Sequence, residues 1–143
     1  GGPVPVFRDR AACDFVRVMT ERVNISSGGD YETVFGYSRA VRVGEHIHVS
    51  GTTAREPARS GDAYEQAVAV LSIIEAALRD AGSSMVAVVR TVTYVTDIKD
   101  ADLVARAHRE AFGDVLPAAT MVEVSALLDP KMKVEIEAYA IEK

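Results

Sequence analysis

Residues 131–142 read KMKVEIEAYAIE, and apolar side chains alternate there with charged or aromatic ones. A period of two residues is typical of a β-strand, because successive side chains of a strand point to opposite faces of its sheet. One face carries Val134, Ile136, Ala138 and Ala140, and the other carries Lys133, Glu135, Glu137 and Tyr139. The apolar face predicts a hydrophobic core on one side of the sheet. The face with the carboxylates and the phenol is compatible with solvent, a partner chain or a ligand.

Outward from this strand, the patterning predicts six strands and two helices in the order β-β-β-α-β-α-β-β. The predicted strands cover residues 21–26, 36–43, 46–51, 86–96, 119–124 and 133–141. Asp62 and Glu65 form a capping-box pair that predicts the start of the first helix, and Gly82 predicts its end. The second helix is predicted over residues 99–112, and residues 27–33 are predicted to form a loop. The order favours an α+β fold with a mixed sheet and both helices on one face.

The face of the sheet opposite the helices is expected to carry large side chains. Tyr94, Met121 and Tyr139 are assigned to it from the strand patterns. An exposed apolar patch of that size is unusual on a monomer. We therefore expect a second copy of the chain to cover this face, with carboxylates of the last strand lining the interface.

Size, charge and cysteine content restrict the functional class. The 143 residues fit one domain, predicted over residues 20–143 after a loosely ordered leader or expression remnant at 1–19. A formal net charge of −5 argues against a nucleic-acid partner, because binding to phosphate backbones requires clustered Lys and Arg. The single cysteine, Cys13, excludes an internal disulfide and favours a cytoplasmic setting. No apolar stretch approaches the ~20 residues of a membrane span, so no membrane partner is expected.

The residue patterns indicate neither a metal site nor a classical nucleophilic enzyme. His46 and His48 lie two apart in one predicted strand, but a zinc site needs at least three protein ligands and no third is evident. Cys13 has no nearby base that would activate its thiol. Neither a glycine-flanked nucleophilic serine nor a phosphate-binding loop is present. We therefore expect no metal and no cofactor.

Four stretches, considered together, resemble the Rid/YjgF family, which is also called the RutC family or the L-PSP endoribonucleases. They are GYSRAVRVGEHIHVSG, AGSSMVAVVRTVTYVTDIKDADLV, LPAATMVEVSAL and KVEIEAYAI, and they extend over residues 36–141. The resemblance implies a chorismate-mutase-like fold assembled as a homotrimer, with small-molecule clefts between subunits. It also implies hydrolytic deamination of reactive 2-imino or 2-enamino acids to 2-oxo acids and ammonia.

By motif position, the resemblance also implies a set of site residues. The family tyrosine corresponds to Tyr37, the Ser-Gly pair to Ser50 and Gly51, and the strand aromatic to Tyr94. The family glutamate corresponds to Glu135, which would position or activate the attacking water. Glu135 and Tyr37 are thus the expected catalytic residues, and the others are expected to bind the substrate.

One member of the family pattern is missing. The family's Pro-Ala-Arg-Ser/Thr segment reads PAAT at residues 117–120, so Ala119 replaces the arginine that grips the substrate carboxylate, and Thr120 follows it. Arg39 or Arg90 could supply another cation, although pairing of either with Glu123 or Glu137 is the expected arrangement. Activity on 2-iminobutanoate or 2-iminopropanoate is therefore in doubt.

Two functional classes remain open from the sequence. The first is a deaminase-like hydrolase that acts on an imine or enamine held without a carboxylate clamp. The alternative is a non-catalytic, regulatory trimer that binds a small ligand in the same clefts. A ribonuclease is the least favoured class, because the chain is acidic and has no basic stripe.

Overall fold

The computed structural model describes residues 21–143. The predictions for the leader at 1–19, including Cys13, lie outside the described residues. The strands are β1 (Arg22–Ile25), β2 (Ala40–Val43), β3 (His46–Thr52), β4 (Val88–Val95), β5 (Ala118–Glu123) and β6 (Val134–Ile141). The helices are α1 (Asp30–Phe35), α2 (Ala63–Asp80) and α3 (Ala101–Phe112), with short 3-10 turns between several elements.

The six strands form one mixed sheet in the order β1-β2-β3-β6-β4-β5. Neighbouring strands are antiparallel except β4 and β5, which are parallel. The strand KVEIEAYAI thus lies at the centre, between β3 and β4. The predicted α+β fold with a mixed six-stranded sheet is confirmed.

The hydrophobic core lies between the sheet and the two long helices. Its sheet side includes the four apolar residues of β6, which are at most 2% exposed. Its helix side includes Val70, Ile74 and Leu78 of α2 and Val104 of α3, all fully buried. Burial of one such aliphatic side chain stabilises the fold by about 1.5–3 kcal/mol. The alternation of apolar and polar residues in β6 therefore separates the sheet face that packs on the helices from the opposite face.

Both ends of α2 are fixed by polar contacts. The Asp62 carboxylate accepts a hydrogen bond from the Glu65 amide at 2.8 Å, which confirms the predicted N-cap. At the other end, the Arg42 guanidinium donates to the Ala81 carbonyl at 2.7 Å. Gly82 follows with φ +80°, a conformation that favours glycine, and it ends the helix as predicted.

The region before β2 differs from the prediction. Residues 27–33 were expected to be a loop, but the helix α1 occupies Asp30–Phe35. The Glu32 side chain reaches back to accept a hydrogen bond from the Gly29 amide at 3.2 Å, which caps the first turn. Gly36 then ends α1 with φ 75°, so β2 begins at Ala40 rather than at residue 36. The other predicted elements are confirmed with shifts of a few residues at their ends.

The sheet face opposite the helices, here called the open face, is not covered by any described element. Val43, Val122 and Ile141 lie on this face and are 44%, 41% and 39% exposed. The assignment of Met121 to this face was wrong. The parallel register pairs Met121 with the buried Thr93, and Met121 packs against the core.

Gln66 joins two loops to the helix α2. Its side chain is completely buried, and its amide nitrogen donates to the carbonyls of Arg59 (3.0 Å), Gly61 (3.3 Å) and Lys131 (2.9 Å). Its amide oxygen accepts from the Lys133 amide at 2.8 Å. One side chain therefore holds the loop after β3 next to the loop before β6.

We predict that Gln66→Leu lowers the free energy of unfolding by about 2–4 kcal/mol, because it removes the hydrogen bonds that the buried Gln66 side chain makes with the Lys133 amide and three carbonyls. Chemical denaturation measures the change. Ser72→Leu introduces the same side chain at an exposed position of α2, and we expect a change within about 0.5 kcal/mol. Equal stabilities of the two variants would contradict the role given to Gln66.

Candidate functional site

A cleft with a volume of about 260 Å³ opens at one end of the sheet. Its walls come from α1 and the residues just before it, from the end of β3 with the loop that follows, and from the start of β6. Tyr37, Arg39, Gly51 and Glu135 all line it. Three of the residues expected from the sequence, Tyr37, Gly51 and Glu135, are therefore brought together in one place.

The Glu135 carboxyl group lies directly over the backbone of Gly51. The register of β3 against β6 shifts between Val49 and Thr52, so Ser50 and Gly51 form an irregularity in the strand. A Cβ atom on residue 51 would lie 3.1 Å from Glu135 Cδ and closer still to one carboxyl oxygen. A side chain at residue 51 would therefore displace the Glu135 carboxyl group from its position over the backbone.

Arg39 connects the other residues of the cleft and is only 6% exposed. Its Nη1 atom donates to the Gly51 carbonyl at 2.7 Å and to Thr52 Oγ1 at 2.6 Å. Its Nη2 atom donates to the Tyr37 hydroxyl oxygen at 3.2 Å. Its Nε atom lies 3.6 Å from Glu32 Oε2 and forms a buried ion pair. One guanidinium thus fixes Tyr37 and Gly51 relative to each other.

Glu32 holds the wall of the cleft that precedes and includes α1. Its carboxylate accepts hydrogen bonds from the amides of Ser27 (3.1 Å) and Gly29 (3.2 Å) and from the Ser27 hydroxyl. Burial acts to raise the pKa of Glu32, but the hydrogen bonds from Ser27 and Gly29 and the charge of Arg39 outweigh it. The pKa of Glu32 is therefore below its ordinary value of 4.5.

Glu135 is in the opposite electrostatic situation. Burial raises the pKa of Glu135 above 4.5, the neighbouring Glu137 carboxylate raises it further, and the charge of Arg39 opposes both. Within residues 21–143, the Glu135 carboxyl group accepts no hydrogen bond. A half-buried carboxyl group of this kind can exchange a proton closer to neutral pH than an exposed one.

Tyr94 lies beside Glu135 on the open face. The two residues pair directly across β4 and β6, and the Tyr94 hydroxyl donates to Glu137 Oε1 at 3.3 Å. Burial raises the pKa of the Tyr94 phenol, and the Glu137 and Glu135 charges add to the effect. Tyr94 is therefore a neutral hydrogen-bond donor adjoining the cleft.

The remaining expected residues, Ser50, Ala119 and Thr120, do not line this cleft. The Ser50 hydroxyl donates to the Ser38 carbonyl at 2.7 Å and so ties β3 to the residues preceding β2. Ala119 and Thr120 lie on β5, at the edge of the sheet and two strands from β6. The Thr120 hydroxyl accepts a hydrogen bond from Arg90 at 2.8 Å.

Ala119 lines a second cavity, with a volume of about 450 Å³, between α3 and β5. His108 and Phe112 form part of the same cavity, and their rings are 4.6 Å apart. His108 Nε2 lies 2.8 Å from the hydroxyl of the buried Thr91, and burial lowers the pKa of His108 below 6.5. Neutral His108 is therefore explained by its packing and its contact with Thr91.

The expected ion pairs of the two candidate arginines were wrong. Arg39 pairs with Glu32 rather than with Glu123 or Glu137, and Arg90 bonds to Thr120. Glu123 instead accepts from the Ile98 amide at 3.0 Å. Sequence reasoning missed Glu32 because its role depends on α1, which was read as a loop. The usable signal was a glutamate three residues after Gly29, the spacing of a capping box.

Neither a metal cluster nor a membrane helix occurs in the described part of the chain. Residues 21–143 contain no group of three or more His, Cys, Asp or Glu side chains arranged to hold a metal ion. The His48 ring instead contacts the Tyr139 ring edge-on at 5.1 Å. Within the same residues, no helix has both the length and the apolar character required to cross a bilayer.

Comparisons with known proteins identify relatives along most of the chain. The family described as Endoribonuclease L-PSP matches residues 30–142. The RutC family protein PYRAB12510 of Pyrococcus abyssi is 38% identical, with 73% of this chain and 84% of the relative aligned. The human 2-iminobutanoate/2-iminopropanoate deaminase is 34% identical, with 74% of this chain and 80% of the relative aligned.

A solved structure matches a larger share of this chain than the two relatives do. The crystal structure of Rv2704 from Mycobacterium tuberculosis, described as a member of the YjgF/YER057c/UK114 family, superimposes with a TM-score of 0.79. The two sequences are 45% identical, and the match covers 85% of this chain and 99% of the other. The expected family and its chorismate-mutase-like fold are therefore confirmed.

We predict that Glu32→Gln and Glu135→Gln change stability in opposite directions at neutral pH. The folded pKa of Glu32 is lowered, so its contribution is complete above the unfolded value of about 4.5 and is lost as the pH falls through the lower folded pKa. The folded pKa of Glu135 is raised, so ionisation of Glu135 opposes folding increasingly as the pH rises from 4.5 through the folded pKa.

Denaturation at a series of pH values measures both effects. Near pH 7 we expect Glu32→Gln to lower the free energy of unfolding by about 1–3 kcal/mol and Glu135→Gln to raise it. The difference for Glu32→Gln should narrow as the pH falls below 4.5, whereas the difference for Glu135→Gln should narrow earlier, as the pH falls through the raised folded pKa toward 4.5. A Glu135→Gln variant that is less stable than the native chain at pH 7 would contradict the raised pKa.

Proposed function

The chain belongs to the Rid/YjgF (RutC, L-PSP) family, and from this premise we propose that it is a deaminase-like hydrolase of an imine or enamine. The observation that carries the proposal is the convergence of Tyr37, Gly51 and a half-buried Glu135 in one cleft. Similarity to the human 2-iminobutanoate/2-iminopropanoate deaminase supports the same class of reaction.

In the proposed reaction, a water molecule adds to the carbon of the C=N bond. The Glu135 carboxylate takes one proton from the water while the new C–O bond forms and the electron pair of the C=N π bond moves to nitrogen. Protonated Glu135 returns that proton to the nitrogen, which gives the neutral tetrahedral carbinolamine. The hydroxyl proton then passes to the nitrogen as the C–N bond breaks and the C=O bond forms, so ammonia leaves and the carbonyl product remains.

Tyr37 and Tyr94 would orient the reacting group. The Tyr37 oxygen accepts from Arg39, so its own O–H remains available to donate to the developing hydroxyl or to the nitrogen. Tyr94 pairs with Glu135 across β4 and β6, so it would contact the ligand next to the carboxylate. Gly51 admits the carboxylate close to the backbone, and Ser50 positions Gly51 through its bond to Ser38.

We further propose that the active cleft forms between subunits of a homotrimer. Ala119 and Thr120 lie at the sheet edge, two strands from the Glu135 strand, so another copy is needed to bring them to the cleft. The exposed Val43, Val122 and Ile141 of the open face supply apolar surface for such an assembly. The proposed setting is cytoplasmic, as the cysteine content favours.

Ala119 makes 2-imino carboxylates poor substrates in this proposal. A guanidinium binds a carboxylate through paired, charge-assisted hydrogen bonds. Leaving that carboxylate unpaired in a cleft costs about 2–5 kcal/mol. The loss corresponds to a rate lower by about 30-fold to several-thousand-fold.

One observation favours a second candidate, a non-catalytic trimer that binds a small ligand for regulation. The buried arginine of the cleft, Arg39, already bonds to Glu32, Tyr37, Gly51 and Thr52, so Arg39 is not free to replace the missing arginine. Such a cleft could retain a ligand without activating it. Catalytic measurements separate the two candidates.

We predict that the native chain releases ammonia from freshly generated 2-iminobutanoate at least about 30-fold more slowly than the variant Ala119→Arg, because the variant restores carboxylate binding. Adding Glu135→Gln to Ala119→Arg should remove the gained activity, because the amide cannot accept the proton from water. Continuous measurement of ammonia gives the rates. Glu45→Gln, a change at the exposed β2–β3 turn, provides the matched control.

The outcomes distinguish the candidates. Turnover in Ala119→Arg that depends on Glu135 supports the hydrolase. Robust turnover by the native chain would show that Ala119 does not limit activity. Absence of ammonia release from both chains, with a ligand still bound in the cleft, would favour the binding trimer.

A further inference from the structure

The charged groups that line the cleft include more carboxylates than guanidinium groups. Three arginines, Arg39, Arg55 and Arg59, face four carboxylates, Asp30, Glu32, Glu56 and Glu135. The free charge matters more than the count, because a charge that is already paired within the protein contributes little to ligand binding. Each group must therefore be considered with its partners.

Arg39 is fully engaged by the protein. Its Nε pairs with the Glu32 carboxylate at 3.6 Å, and its Nη1 and Nη2 atoms donate to Gly51, Thr52 and Tyr37. Both residues of this ion pair are buried: Glu32 is 5% exposed and Arg39 is 6% exposed. Together they present nearly zero net charge to a ligand, and the donors of Arg39 already have acceptors.

The other two arginines also donate to protein groups, although within residues 21–143 only Arg59 has a carboxylate partner and Arg55 bonds to a neutral residue. Arg55 Nη2 donates to the Ser27 carbonyl at 3.2 Å and to the Ser27 hydroxyl at 2.7 Å. Arg59 Nε donates to the Ala54 carbonyl at 2.8 Å, and its Nη1 lies 3.9 Å from Asp129 Oδ2. The geometry thus uses the guanidinium groups to hold the walls of the cleft.

Two carboxylates of the cleft, Asp30 and Glu135, have neither a hydrogen-bond donor nor an ion-pair partner within residues 21–143, and of these Asp30 is exposed while Glu135 is half-buried. Glu32 is paired with Arg39, and Glu56 accepts from Ser60 and pairs with Lys131 at 3.3 Å. Glu135 has no hydrogen-bond donor within residues 21–143, and Glu137 adds negative charge on the same strand face. Within residues 21–143, no cation forms an ion pair with Glu135, and the charge of Arg39, which is shared with Glu32, only partly opposes the rise in the pKa of Glu135.

We propose that the cleft selects a cationic nitrogen ligand without a carboxylate group, such as a protonated imine or the corresponding amine. The ammonium or iminium N–H would donate to Glu135, and Tyr37, whose ring centroid already lies 5.4 Å from the Arg39 guanidinium carbon, would line the same cleft. The apolar Ala119, in place of a guanidinium, removes the group that would attract an anion. This inference rests on the proposed function in placing the ligand in the same cleft and in bringing Ala119 of another copy to that cleft.

Two stable probes that differ by one carboxylate test the inference. Pyrrolidine is a cation at neutral pH, and proline carries the same ring and ammonium group together with a carboxylate. Binding of each to the full chain is measured by calorimetry and by NMR titration. We expect pyrrolidine to bind about tenfold more tightly than proline, and also more tightly than the neutral cyclopentanol.

Variants assign the selectivity to the residues named. Glu135→Gln should weaken pyrrolidine binding about tenfold, and Glu135→Asp should restore part of it because the charge is retained. Ala119→Arg should reverse the preference toward proline. Glu45→Gln removes the same charge at the distant β2–β3 turn and should leave both affinities unchanged.

Tighter binding of proline than pyrrolidine by the native chain would overturn the inference, as would equal pyrrolidine affinity in Glu135→Gln and the native chain. These measurements need no turnover, so they are separate from the test of the proposed reaction. Selective pyrrolidine binding without any imine hydrolysis would support the ligand class and would reject the hydrolase.

Discussion

The uncovered face of the six-stranded sheet is the constraint on which the account of this protein depends. The helices α2 and α3 bury one face, and the central strand β6 presents Glu135, Glu137 and Tyr139 on the other. Exposed aliphatic side chains occupy the same face at β2, β5 and β6. A sheet of this composition gains stability when another sheet covers its apolar side chains. The same cover would exclude water from the surroundings of the Glu135 carboxyl group.

The buried pair of Glu32 and Arg39 converts this general architecture into a defined cleft. Glu32 holds the chain before α1, while Arg39 holds Gly51 and Tyr37. A buried ion pair costs desolvation free energy, so its value lies less in stability than in geometry. Because the two charges satisfy each other, the protein can fix the cleft with a guanidinium and still leave Glu135 as its chemically available group.

Features that depend on residues close together in the sequence could be predicted, whereas most strand registers and side-chain partners that depend on tertiary packing could not. The period of two in β6 and the Asp62 capping box act between near neighbours, so both were predicted correctly. Met121 was assigned to the wrong face because the register of the parallel pair β4–β5 is set by tertiary packing. The Arg39 partner was missed because α1, which carries Glu32, depends on a side-chain cap among residues typical of loops.

The most direct measurement of the central claim is the mass of the chain in solution by light scattering after size exclusion. If the open faces of three copies cover one another and complete the clefts, the mass at micromolar concentration is three times the 15.4 kDa of one chain. Charge on the open face, introduced by Val122→Glu, should shift the distribution toward smaller species. A native chain that remains at 15.4 kDa across that concentration range would contradict the account.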